Sequence, residues 1–114
     1  MSIETLNKKM EFIGGSYLDS EAVPVEGVTL TIKGLNKDKV EDMQTHKKKD
    51  FFILSFEETK WQMLLSAKTQ RKQIIRIMGS QSAKDWFGKK ICVYKDTTRR
   101  YGPEKHYAMR FRSV

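Results

Sequence analysis

The stretch from Trp86 to Arg112 constrains this chain most. It reads W-F-G-K-K-I-C-V-Y-K-D-T-T-R-R-Y-G-P-E-K-H-Y-A-M-R-F-R, two alternating runs joined by a basic connection that contains Gly102-Pro103. Successive side chains of a strand point to opposite faces. Ile91 and Val93 therefore share one face and Cys92 and Tyr94 the other. In the second run Tyr107, Met109 and Phe111 oppose His106, Ala108, Arg110 and Arg112. One side of each run suits a core. The other carries Tyr94, Arg110 and Arg112, with Arg99, Arg100 and Tyr101 in the connection between the runs. Guanidinium and ring groups on one wall suit a stacked, negatively charged polymer.

Earlier in the chain the alternation recurs. Val28, Leu30 and Ile32 alternate with Thr29, Thr31 and Lys33, which predicts a first strand, and Gly34 marks a bulge or a sharp bend. Residues 35–50 are mostly polar and read as a long hairpin loop or a ragged continuation of the strand, with Val40 and Met43 leaving a short helix open. Phe51 to Phe56 predicts a second strand, with Phe52, Leu54 and Phe56 inward and Phe51, Ile53 and Ser55 outward. Glu57-Glu58-Thr59 makes a turn, and residues 60–65 form a third strand with Met63 and Leu65 inward. Over residues 67–78 the period changes to that of a helix: Ile74, Ile75, Ile77 and Met78 gather on one side, Ser66 or Thr69 supplies a cap, and Gly79 stands where a helix ends. Residues 1–25 are weakly patterned and are expected to lie along the outside.

The 114 residues are expected to form one domain with a modest core. The formal charge of +8 is unevenly spread. Residues 1–58 hold eight lysines against eleven acids, a net −3, whereas residues 59–114 hold fourteen basic residues against three acids, a net +11. A surplus concentrated in this way implies an anionic partner, nucleic acid being the commonest. One cysteine excludes an internal disulfide, and no apolar run approaches the ~18 residues of a membrane span. The Met1-Ser2-Ile3-Glu4-Thr5 start has neither a basic nor an apolar stretch, so no signal peptide is expected and a cytoplasmic location follows. His46, His106 and Cys92 lack the paired close spacings of a zinc site, and no phosphate-cradling glycine loop or nucleophile elbow occurs. The expectation is a non-enzyme with no cofactor.

Three strands, one helix and two strands, in that order, is the layout of an OB-fold, a five-stranded, partly open Greek-key barrel with its helix between the third and fourth strands. Nucleic acid then crosses the second and third strands between two loops, here residues 35–50 and 96–104, both rich in Lys or Arg. On Gly27-Val28-Thr29-Leu30-Thr31-Ile32, Leu54-Ser55-Phe56-Glu57, Met63-Leu64-Leu65-Ser66-Ala67-Lys68-Thr69, Asp85-Trp86-Phe87-Gly88-Lys89-Lys90-Ile91-Cys92-Val93-Tyr94 and Ala108-Met109-Arg110-Phe111, the chain resembles small phage and prophage OB-fold proteins described as single-stranded-DNA-binding or DNA-maintenance proteins. The resemblance implies a phage-encoded protein that coats single-stranded DNA during replication or recombination. Housekeeping bacterial single-stranded-DNA-binding proteins recruit partners through a disordered acidic tail; with the ending Arg110-Phe111-Arg112-Ser113-Val114, that recruitment role is not expected here.

The candidate interface is led by Arg110 and Arg112, two apart on a strand beside Tyr94, as phosphate and stacking groups; the plainer alternative is surface ion pairing with Glu57 or Glu104. Arg99, Arg100 and Tyr101 form a basic, aromatic loop cluster, and Lys47, Lys48, Lys49 and Lys33 an electrostatic rim. Phe51 and Ile53 are placed as a stacking platform, or as contacts for the N-terminal segment or a second subunit. Trp61 either stacks on a base or caps the barrel edge, whereas Trp86 is read as structural. Alternatives from other classes are a protein-interaction module of phage origin, an adaptor or host-enzyme inhibitor, and an RNA-binding protein. A homo-oligomer remains open.

Overall fold

In the computed structural model, which describes residues 2–41, 45–65, 67–101 and 106–114, the alternating runs form five antiparallel strands of one sheet. They are β1 (Val28–Glu41), β2 (Lys48–Phe56), β3 (Met63–Leu65), β4 (Lys90–Tyr101) and β5 (His106–Arg112). The spatial order is β3-β2-β1-β4-β5. Helix α1 (Ile3–Ile13) precedes the strands, and α2 (Lys68–Met78) lies between β3 and β4. The fold is mostly β and barrel-like.

β1 serves two neighbours in turn. Val28 to Thr31 pair with β4, from Val28↔Val93 to Thr31↔Lys90. From Ile32 onward β1 pairs with β2, and the register slips between Ile32 and Gly34, where the sequence places its bulge. An extra residue on one strand bends it and sharpens its twist, which lets one strand belong to both halves. The backbone groups of Thr31 and Ile32 at the change are taken up. Thr31 donates its N–H to Glu58 Oε1 and its hydroxyl to Glu58 Oε2, both at 2.7 Å. The Thr31 carbonyl accepts from Glu57 N at 3.0 Å, Ile32 N donates to Lys89 O at 2.9 Å, and Ile32 O accepts from Gly88 N at 2.8 Å.

The core is the inward set of the sequence pattern: Val28, Leu30, Ile32, Leu54, Phe56, Met63, Leu65, Ile91, Val93 and Phe111 are all buried in one cluster. Trp86 joins it and donates from Nε1 to Ser80 O at 2.9 Å, as a structural tryptophan should. Helix α2 spans almost the predicted residues and ends at Gly79 in the left-handed region, with the Gly79 N–H on Ile75 O. Its start differs. Ser66 lies outside the described residues and Thr69 is already inside the helix; the cap position is Ala67, whose N–H donates to the Gln70 side chain at 3.3 Å. Gln70 then reaches β5, donating from Nε2 to Met109 O at 2.8 Å, while Gln73 Oε1 accepts from Phe111 N at 2.9 Å. The helix thus occupies the open edge of β5 with its side-chain amides.

Residues 1–25 are not a weakly structured outer segment. They hold an 11-residue helix whose cap Ser2 accepts from Thr5 N at 3.2 Å. Ile3, Leu6, Met10 and Ile13 recur at helical spacing, and Leu6 and Met10 are fully buried, each worth about 1.5–3 kcal/mol of apolar burial. Downstream, Tyr17 bridges Gln62 in parallel and Leu18 N donates to Gln62 O at 2.8 Å. Ser20 Oγ accepts from Tyr107 N at 3.2 Å and Pro24 O from Lys95 N at 3.1 Å. The segment therefore runs from β3 across to β5 and β4, and Leu18, Ala22 and Val23 enter the core on the way.

The Glu58 clasp gives a pH prediction. Burial acts to raise the carboxyl's pKa, but the two bonds from Thr31, aided by the Lys90 charge, outweigh it and hold it below the usual 4.5. A depressed carboxyl contributes its stability in full above the unfolded value and loses it as pH falls through the lower folded value. Glu58→Gln should lower stability at neutral pH by about 1–2 kcal/mol. Urea unfolding at stepped pH should show the gap to wild type closing as pH drops below 4.5; a constant gap refutes the clasp.

Candidate nucleic-acid interface

Of the two ladders that share β1, the one with β2 continues past the core. Leu35↔Leu54 is the last pair whose members both reach the cluster, yet the β1–β2 ladder runs on through Lys37↔Phe52, Lys39↔Asp50 and Glu41↔Lys48. Residues 35–50 are therefore mainly strand: of the two readings, loop or strand continuation, the continuation holds, as a two-stranded ribbon with β2 starting at Lys48 instead of Phe51. Met43 lies outside the described residues. Alternation keeps such a ribbon paired without a core beneath it, because cross-strand contacts support each rung.

Lys37, Lys39, Lys47, Lys48 and Lys49 are all exposed on or beside this ribbon, against Asp38, Glu41 and Asp50. Lys37 Nζ reaches Asp50 at 4.0 Å and stands 6.0 Å above the Phe52 ring. Phe52 was expected inside; it shares the inward face with Leu54 but lies beyond the core, and its side chain remains 38% accessible. Phe51 is half-buried on the opposite ribbon face, in line with Val40 and Lys49. Ile53 overturns the platform expectation on that face, being only 4% exposed. Trp61 is likewise closed off: it is 7% exposed, belongs to the core cluster, and carries Lys60 Nζ 4.7 Å over its ring. It seals the barrel edge and offers no ring to a base. Lys33 is exposed but opens on a groove lined by Glu11, Glu57 and Glu58, whose carboxylates offset it.

On the β4–β5 wall the two leading arginines part company. The strands place them as expected, with Cys92↔Arg112 and Tyr94↔Arg110 directly opposite. Arg112 is exposed, donates from Nη2 to Glu26 O, and stacks its guanidinium 5.2 Å from the centre of the Tyr94 ring. Arg110 is 8% exposed, with Nε 3.8 Å from Asp96 Oδ2 and a buried Nη1 that has no hydrogen-bond partner. The expectation of two arginines open to solvent fails for Arg110: the wall around it is lined by its own strands. Part of this wall is also covered by the chain leading into β1. Gly27 is buried at φ +92, and a Cβ there would collide with the Cys92 sulfur. Of the ion-pair partners weighed from sequence, Glu104 lies outside the described residues; the carboxylate beside Arg110 is that of Asp96, two residues past Tyr94 on the same face.

Arg99, Arg100 and Tyr101 belong to β4 rather than to a loop, with Arg100↔Tyr107 and Tyr101↔His106 in register after a slip that begins at Asp96. Their side chains, and Gly102-Pro103, lie outside the described residues. The remaining basic surplus of the second half is spread over exposed Lys68, Lys72 and Arg76 of α2 and over Lys84, Lys89 and Lys90. Sequence reasoning missed Lys37, Lys39 and Phe52 as candidates. No alternation marked them in sequence, because the residues just before Phe51 read Lys47-Lys48-Lys49-Asp50.

Among the described residues no group of three or more His, Cys, Asp or Glu is placed to hold a metal ion, and no helix is long and apolar enough to cross a membrane. No protein-family model, curated protein or solved structure matches the chain.

The Arg110 environment predicts an asymmetry. A buried guanidinium with one long ionic contact is under-compensated, so an apolar side chain of similar length serves as well, whereas removing the counter-charge alone leaves a stranded cation. Arg110→Met should unfold within about 1 kcal/mol of wild type, while Asp96→Ala should lose about 1–3 kcal/mol. Chemical denaturation of the two variants side by side checks this, and equal losses would contradict it.

Proposed function

We propose that this protein is an OB-fold barrel that binds single-stranded DNA with little sequence preference. The observation that carries the reading is the β1–β2 ribbon, which holds five exposed lysines beside the accessible Phe52 ring and the half-buried Phe51 ring. Mobile ammonium groups track phosphates through long-range attraction, and rings accept any base on their faces. The exposed Arg112–Tyr94 stack on the neighbouring β4–β5 pair adds a second cation and ring of the same kind. The shared strand β1, the helix between β3 and β4 and the strand order support the OB assignment. Coating of DNA exposed during replication or recombination of a phage is the role that the sequence resemblance adds to this chemistry. Stacking and phosphate contact work equally on RNA unless a 2′-hydroxyl is read, so RNA is the control ligand.

Titration of fluorescently labelled oligo-dT over a series of salt concentrations tests the proposal. If about four phosphates are neutralised, log K should fall against log salt with a slope near −3. Phe52→Ala should weaken binding by about tenfold, the worth of one stacked base, without changing that slope. Lys48→Ala with Lys49→Ala should flatten the slope by about 1.4. Undetectable binding, or binding indifferent to salt, overturns the reading.

A further inference from the structure

We propose that Asp96 is an internal substitute for a phosphate group: its carboxylate holds the Arg110 guanidinium down on the sheet, and a phosphodiester of a bound strand displaces it. The strand's identity rests on the preceding proposal; the anion site itself does not.

Arg110 is a cation taken out of water and incompletely answered. Its side chain is 10% exposed, its contact to Asp96 is 3.8 Å from Nε, longer than a hydrogen bond, and Nη1 is buried with no acceptor. A guanidinium offers five donors in a planar fork that matches the oxygens of a phosphate two at a time. The present counter-ion uses little of that fork, so an oxyanion able to engage Nη1 as well binds in competition with Asp96.

Asp96 can give way without being left unpaired. Its Oδ1 already accepts from Thr98 N at 3.0 Å and from Thr98 Oγ1 at 2.5 Å. It also stands at the end of the regular ladder: Asp96↔Ala108 is followed by Arg100↔Tyr107, so three residues of β4 are taken up where β5 supplies none. A swing of the Asp96 side chain towards that irregular segment leaves the Asp96↔Ala108 rung and those before it in place. The vacated place lies beside Tyr94, directly across from Arg110, and Tyr94 is the ring on which exposed Arg112 is stacked. A phosphate there has one cation beneath it, a second at the rim and a ring for the adjoining base.

The test uses the intact protein and four variants: Asp96→Asn, Arg110→Met, the two combined, and Glu4→Gln as a neutralisation on the exposed start of α1. With labelled oligo-dT, Asp96→Asn should bind about fivefold tighter than wild type, because the internal competitor is gone, and more than Glu4→Gln does. The double variant should bind no tighter than Arg110→Met alone. A gain that persists without Arg110, or one matched by Glu4→Gln, reflects net charge only and overturns the proposal. A second arm reads thermal melting with inorganic phosphate against chloride at equal ionic strength. Asp96→Asn should melt several degrees below wild type and recover in phosphate, whereas the double variant should not respond. If oligo-dT fails to bind wild type but phosphate still rescues Asp96→Asn through Arg110, the anion site stands and single-strand binding falls. If oligo-dT binds and neither arm depends on Arg110, the reverse holds.

Discussion

Everything in this fold depends on β1 changing partners. A strand bound on both edges along its full length would sit inside an open, twisted sheet. Here the β4 ladder ends at Thr31 and the main β2 ladder begins beyond the slip at Gly34. The change is tolerable because the peptide groups of Thr31 and Ile32 have partners there: Glu57 and Glu58 from the 57–59 turn on one side, Gly88 and Lys89 ahead of β4 on the other. An unanswered buried N–H at such a point costs about as much as a lost hydrogen bond. The acidic turn after β2, which carries no function in the sequence pattern, is thereby the clasp that lets the sheet curl.

That curl also sets which side chains can meet a ligand. Once the halves diverge, the β1–β2 ladder leaves the core and projects its lysines and rings, while the β4–β5 wall stays close enough to the entering chain for Gly27 to lie against Cys92. The candidate surface is therefore divided. The ribbon offers several exposed cations and an accessible ring; the wall offers one stacked arginine and conceals the other.

The inward faces of all five strands and the extent of α2 were legible from alternation and a change of period, because burial imposes those periods on sequence. Helix α1 was not, although Ile3, Leu6, Met10 and Ile13 carry the helical spacing. Its four apolar positions are diluted by Lys8, Lys9, Glu4 and Glu11, and the exposed Phe12, at 93%, falls off the buried stripe and obscures it. Phe52 and Ile53 exchanged roles because parity along a strand says which face a residue shares, not where the core beneath that face stops. Arg110 was misplaced for a related reason. The strand register predicted its neighbour Tyr94 correctly, but nothing in a residue's own identity says that an aspartate two places beyond that neighbour will stand against it.

The handling of the β5 edge has a consequence of its own. Among the described residues β3 and β5 share no ladder: the β5 edge is met by the amide groups of Gln70 and Gln73, and the strap of residues 17–24 joins Gln62, ahead of β3, to β5 and β4. Side-chain bonds of this kind break a few at a time, while a ladder resists as a unit. The β5 edge is thus held by detachable clasps, which can loosen while the shared strand and the two ladders it joins stay intact. The same clasps deny the edge to a foreign strand, the usual hazard of an unpaired sheet edge.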